Sequence, residues 1–169
     1  MEYPYQIVTF LDAVPVEGQS IYGDENGGWL AHVALKRRFA LKDFSEDQFV
    51  QEFALFCAST PAIVIKTLTV QKLDRMPVEV ITIERSSDVD MFHQAFLSHF
   101  EQQIVSKYPD REGEAYLPHI TAEYWDKRVI DVVPYENKSF PVNSVWLTKD
   151  APNGQNTHIF KQFKLGAIE

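Results

Sequence analysis

Two short apolar runs, each opened by a histidine, constrain this chain more than any other feature. They are Ala31-His32-Val33-Ala34-Leu35 and Pro118-His119-Ile120-Thr121-Ala122. Both have strand composition, and in a strand alternate side chains share a face, with residues i and i+2 about 6.6 Å apart. That alternation places His32, Ala34 and Lys36 together, opposite Val33 and Leu35. It likewise groups His119, Thr121 and Glu123 against Ile120, Ala122 and Tyr124. Each strand therefore has one apolar face and one face that begins with an imidazole. The chain does this twice, with His119 following His32 by 87 positions.

The elements around these strands set the fold class. Tyr5 to Phe10 is strand-like, and Pro15 to Gly28, with four glycines and Asp24-Glu25-Asn26, reads as a mobile loop. The first histidine strand is expected from about Trp29 to Leu41. Ser45 then serves as an N-cap, with Gln48 as its capping-box partner. Phe49, Val50, Phe53, Phe56 and Cys57 follow as one stripe of an amphipathic helix, which Pro61 stops. Ile63–Leu73 and Val78–Glu84 predict two strands joined at Asp74-Arg75-Met76-Pro77. A second helix is expected from Ser87 or Asp88, carrying Phe92, Phe96, Phe100 and Ile104 at four-residue spacing and ending at Pro109 to Gly113. A polar link from Asp126 to Pro141 leads to Val142–Lys149 and Thr157–Leu165, a hairpin around Ala151-Pro152-Asn153-Gly154. Helices are too few for a doubly wound sheet, so the expectation is α+β with mostly antiparallel pairing. At 169 residues the chain suits one domain, and no linker divides it.

Charge and cysteine content limit the function classes. The net charge of −8 argues against a long nucleic-acid track, which needs many Lys/Arg–phosphate contacts, but not against one or two phosphates held locally. Cys57 is the only cysteine, so there is no disulfide framework, and its place is that of a small buried apolar residue. No stretch approaches the 18 apolar residues of a membrane span, and Met1 to Tyr5 lacks the features of a signal peptide. A cytoplasmic protein is the expectation.

Two imidazoles on facing strands can act as general base and general acid around one bond, because an ordinary pKa near 6.5 permits one neutral and one protonated ring. A hydroxyl two residues along can donate to a phosphate oxygen between them. That set suits metal-free phosphodiester chemistry. A strand histidine taken singly is ordinarily a half-buried packing residue; two in matching contexts shift the balance toward function. His93 and His99 belong at the edge of the second helix's apolar stripe, and His158 near the start of the last strand belongs with exposed polar residues. No Cys pair, His-x-x-x-His or nucleophile elbow points to zinc or to a serine or cysteine nucleophile.

The two motifs resemble those of the two-histidine (2H) phosphoesterases, the superfamily of bacterial 2′-5′ RNA ligase-like proteins and cyclic nucleotide phosphodiesterases. Its mark is His-x-Thr/Ser-x twice, on two pseudo-symmetric lobes. The resemblance implies a single bilobal domain over 1–169, with outer helices and a central cleft. It implies His119 as base and His32 as acid in hydrolysis of a 2′,3′-cyclic phosphate, with roles exchanged in reverse. Thr121 would hold a phosphate oxygen, no metal or cofactor would be needed, and the partner would be a small nucleotide or short RNA. Ala34 departs from the pattern, since it stands where the first motif has its hydroxyl. Lys36, whose Cα lies about 13 Å from that of His32 at strand rise, could reach part of the way, while Arg38 at about 20 Å is a poorer candidate. Trp29, Phe39, Tyr124 and Trp125 are near enough in sequence to stack a base, or to be core. A binding module that kept the cleft and lost the chemistry is the alternative, with Ala34 as its evidence; a structural protein with two packed histidines is the third reading.

Overall fold

A computed structural model describes residues 1–23, 28–74, 76–85, 88–125, 127–151 and 156–166. The first sheet has the order β10-β9-β1-β2-β5, formed by Thr157–Lys164, Ser144–Asp150, Tyr5–Phe10, His32–Leu41 and Ile104–Ser106. The second has the order β7-β6-β4-β3-β8, formed by Lys127–Arg128, His119–Tyr124, Val78–Ile83, Ile63–Lys72 and Ser139–Val142. Every strand pairing among the described residues is antiparallel. With helices α1 (Glu46–Ala58) and α2 (Asp88–Phe100), this is the expected α+β architecture. No helix among the described residues is long and apolar enough to cross a membrane.

Both helices form where the sequence directs. Ser45 accepts from the Gln48 backbone N–H while the Gln48 side chain accepts from the Ser45 N–H, so two otherwise orphaned donors at the start of α1 are satisfied. The phenylalanine stripe then packs on that of α2. Phe53 lies 5.8 Å from Phe96 and 6.1 Å from Phe100 by ring centroids, and Phe163 of β10 sits 4.7 Å from Phe53. This aromatic centre merges with Ile7, Val33, Leu35, Phe39, Ile65, Ile81 and Ile120 into one core fed by both sheets. Cys57 is buried in it as a free thiol.

Several local expectations are corrected. Ile104 is not the last residue of the α2 stripe; the helix stops at Phe100 and Ile104 opens the short strand β5. The Ser87 alternative for the start of α2 lies outside the described residues, as do Arg75 in the β3–β4 turn and Pro152 to Gln155 in the last one. The polar link holds two edge strands, β7 and β8, and Pro141 is tolerated in β8 because that strand has a partner on only one side. The loop ahead of β2 is bonded to the first sheet over Gly18 to Ile21, through Gly18 N–H to Ile159 O at 2.8 Å and Ile21 N–H to Thr157 O at 3.1 Å. Ile21 is fully buried among Val8, Phe10, Trp146 and Ile159, a second small apolar cluster on the other face of that sheet. The residues from 24 to 27 lie outside the described set.

His93 is also misplaced by the sequence reading. It is buried rather than at the edge of α2, donates from Nδ1 to Leu35 O at 2.8 Å, and accepts from the Gly113 N–H at 3.3 Å. Its ring stacks on Tyr116 at 3.8 Å. Tyr116 in turn donates to Ala34 O at 2.7 Å. The neutral imidazole thus ties the backbone of β2 to the segment that leads into β6. His99, by contrast, is exposed and meets Glu52 at 3.2 Å.

Candidate active site

The register of each histidine strand decides what faces the space between the two sheets. In β2, His32 pairs with Phe10 and Ala34 with Val8. Phe10 and Val8 belong to the small second cluster, so His32 and Ala34 share its face. The next pair is Ile7 with Lys36, and Ile7 belongs to the main core. Between these pairs β1 advances by one residue and β2 by two, which is a β-bulge, and the alternation inverts there. Leu35 and Lys36 therefore both turn toward the main core. A second irregularity follows before Phe39, which also faces the main core.

This inversion corrects the expectation for Lys36. Its side chain is completely buried, ion-paired with Glu112 and bonded to Arg37 O at 3.0 Å, 5.6 Å from the centroid of Phe39. Burial pushes its pKa down while Glu112 holds it up. It is a structural cation, turned from the face that carries His32. The residues bracketed by Lys36 and Phe39 emerge on the histidine side instead. Arg38 is ion-paired with Asp150 and donates to Thr157 Oγ1 at 3.0 Å. Arg37 is half-buried and its charge reaches His119. Strand alternation favours Lys36 over its neighbours; the bulge turns Lys36 inward and brings Arg37 to the histidine side instead.

In β6, His119 pairs with Thr82 and Thr121 with Val80, while Ile120 pairs with Ile81 of the main core. His119 and Thr121 therefore share a face, as expected. A bulge between Thr121 and Glu123 then moves Tyr124, rather than Glu123, onto that face. Glu123 ion-pairs with Arg128 at 3.5 Å. β2 and β6 lie against each other where the two sheets meet.

The two histidines are held identically. His32 Nδ1 is 2.7 Å from Leu30 O and His119 Nδ1 is 2.8 Å from Leu117 O, in each case the carbonyl two residues earlier. A carbonyl only accepts, so each neutral ring carries its proton on Nδ1 and presents an unprotonated Nε2. Among the described residues neither Nε2 has a partner. Each ring keeps an exposed edge, yet protein surrounds it on its other sides. Burial lowers the pKa of His32 to about 4 against the pull of Leu30 O, and His119 adds to the lowering. Burial likewise lowers His119, opposed by Leu117 O and assisted by Arg37. Both rings are neutral at neutral pH in the free protein.

Two further polar atoms lie on these faces that sequence reasoning did not pick out. Thr82 Oγ1, across from His119, and Trp146 Nε1, beside Phe10, are buried with no partner among the described residues. Nothing in a strand sequence marks such atoms as unsatisfied. The aromatic expectations divide. Phe39 is core at 0% exposure, Trp29 is half-buried against the edge of the main core, and Tyr124 and Trp125 are exposed. Tyr22 lies 5.8 Å from His32 and 4.6 Å from Trp29, Trp29 lies 5.7 Å from Tyr124, and Trp125 follows at 6.1 Å. These rings run from one histidine strand to the other along the rim. Trp125 has a left-handed backbone with φ of 52°, an uncommon conformation for a bulky residue.

Two antiparallel sheets with outer helices, each contributing one strand that opens on a carbonyl-anchored histidine, make a fold shared with solved phosphoesterase structures. The solved structures bear this out at the level of fold. The chain is similar to a phosphoesterase crystal structure, with TM-score 0.56 and 15% identity over 98% of this chain and 99% of that one. It is similar to E. coli LigT complexed with 3′-AMP, with TM-score 0.57 and 15% identity over 98% and 99% of the two chains. E. coli LigT complexed with NADP+ gives TM-score 0.57 and 14% identity over 97% and 98%. No protein-family model and no curated protein sequence matches the chain.

Proposed function

We propose that the chain is a metal-independent phosphodiesterase that acts on a small phosphodiester, such as a 2′,3′-cyclic phosphate or a 2′-5′ linkage, by hydrolysis or reversible ligation. The observation that carries this reading is the matched pair of imidazoles, each with Nδ1 on a main-chain carbonyl and Nε2 left as a base. A phosphodiester bound between them places a negative charge against both rings, and that charge raises their pKa values from the low values of the free protein. One ring then takes a proton and the other stays neutral, the state that acid–base catalysis needs. In hydrolysis His119 removes a proton from the attacking water while protonated His32 delivers one to the departing ribose oxygen. Thr121 and Arg37 hold the non-bridging oxygens, and Thr82 is a further hydroxyl on the same face. Support for a nucleotide as the ligand comes from the likeness to E. coli LigT, whose structures hold 3′-AMP, ATP and NADP+.

The experiment is a screen of 2′,3′-cyclic nucleotides and 2′-5′ dinucleotides in EDTA, with wild type, His32→Ala, His119→Ala and the double variant. Each single change is expected to cut kcat by about 10²–10⁴, the usual worth of acid–base catalysis, with the double little worse. Full activity in either single variant overturns the mechanism. Ala34 favours a second reading, a nucleotide-binding module without efficient turnover, which gains if nucleotides bind and no substrate is consumed.

A further inference from the structure

The chain carries net charge −8, yet three cations converge on one ring beside the cleft. Arg37 lies 5.0 Å, Lys107 5.3 Å and Arg111 5.4 Å from the centroid of Tyr108. Among the described residues none of the three has an ion-pair partner, whereas the flanking cations are already committed, Lys36 to Glu112, Arg38 to Asp150 and Lys149 to Glu46. The cluster is assembled by the fold. β5 pairs with the end of β2, Lys107 N–H bonds Arg38 O at 2.9 Å, and the 3-10 turn Pro109–Arg111 carries Arg111 back over Tyr108. Burial lowers the Arg37 pKa, and repulsion from nearby Arg111 lowers it further. Like charges held together repel one another, and an anion placed among them relieves that repulsion. The Tyr108 face offsets part of that cost through cation–π attraction, and does so without neutralising the charge.

Arg37 belongs to both places, since its charge reaches His119 on one side and it stands over Tyr108 on the other. We infer that Lys107, Arg111 and Tyr108 form a second anion subsite, reached through Arg37, that binds a phosphate of the substrate other than the one being cleaved. The inference rests on the proposed phosphodiester chemistry and narrows its substrate class. The preferred substrate carries a second phosphate next to the reacting one, as a 5′-phosphorylated nucleotide or the penultimate linkage of a short oligonucleotide does, whereas a lone nucleoside cyclic phosphate leaves the subsite empty. The positive cluster is short, so it suits one further phosphate and not a long strand.

The test compares adenosine 2′,3′-cyclic phosphate with its 5′-phosphorylated counterpart as substrates, and adenosine 2′-monophosphate with adenosine 2′,5′-bisphosphate as calorimetric ligands. Lys107 and Arg111 are exposed, so Lys107→Glu and Arg111→Glu leave the fold intact; Lys72→Glu, exposed on β3, controls for net charge. Wild type is expected to favour the doubly phosphorylated member of each pair by about tenfold or more at low salt, with the preference shrinking as salt rises. In Lys107→Glu and Arg111→Glu the preference falls toward unity, and Lys107→Glu leaves activity on the singly phosphorylated substrate unchanged. A wild-type preference near unity, or one that survives both charge reversals, overturns the subsite. Absence of turnover with the binding preference intact would instead remove the catalytic reading and leave the subsite standing.

Discussion

Lys36 and Arg37 are adjacent cations that the fold sends in opposite directions, and replacing each with methionine separates their roles. Lys36→Met removes the partner of Glu112, whose side chain is only 15% exposed, and leaves that carboxylate to be desolvated alone. Breaking a buried ion pair from one side costs about 3–5 kcal/mol, and the residual access of water to Glu112 brings the expectation to about 2–3 kcal/mol. For a chain of this length that is a fall in Tm of about 5–10 °C. The double variant Lys36→Met/Glu112→Gln should recover a large part of it, since no unpaired charge is left. Activity per folded molecule should change little, because Lys36 faces the core. Arg37→Met inverts the pattern. It should leave Tm nearly unchanged and lower kcat/KM on a cyclic phosphate by about 10- to 100-fold, the worth of roughly 1.5–3 kcal/mol for a charge-assisted hydrogen bond. Urea or thermal unfolding alongside steady-state kinetics reads both quantities. A Lys36→Met protein as stable as wild type but catalytically crippled would refute the bulge argument.

Ala34→Thr should raise kcat/KM on a simple cyclic phosphate by about tenfold, because position 34 shares the face of His32 and a hydroxyl there mirrors Thr121; a fall would show that the space is already taken by Arg37 and substrate. The kcat/KM profile should be bell-shaped with its optimum below pH 6.5, since both free-protein histidines titrate below their ordinary value, whereas the kcat optimum should lie at higher pH once a bound phosphate raises them; coincident optima above pH 7 would contradict this. The unfolded chain protonates His32 near 6.5 and the folded chain only near 4, so protons bind the unfolded state preferentially between those values and stability should decline as pH falls through that window, as denaturation at pH 7 and pH 5 would reveal. Phe96→Ala, at the meeting of α1 and α2 with 0% exposure, should cost about 3–5 kcal/mol in urea unfolding without altering KM in the protein that remains folded.

The elements and the pairing of two strand histidines were legible in the sequence because both depend on short-range periodicity. Alternation predicted β1, β2, β3, β4 and β6, the Ser45–Gln48 box marked the start of α1, and the phenylalanine spacing marked both helices. The same alternation, carried past Ala34, sent Lys36 to the wrong face and Arg37 away from the site. A bulge is a property of two paired strands, in which one chain advances a residue further than its neighbour, and neither chain records it alone. The second bulge exchanged Tyr124 for Glu123 beside the other histidine for the same reason. His93 was misread because its burial depends on Leu35 O and Gly113 N–H, both supplied from distant parts of the chain. The carbonyl anchors of His32 and His119 lie only two residues away, yet they exist because the chain enters each strand at one angle, which the packing of the sheets decides. The gathering of Arg37, Lys107 and Arg111 over Tyr108 required β5 to pair with β2. Sequence determined which groups could do acid–base chemistry; tertiary pairing decided which cations stand beside them.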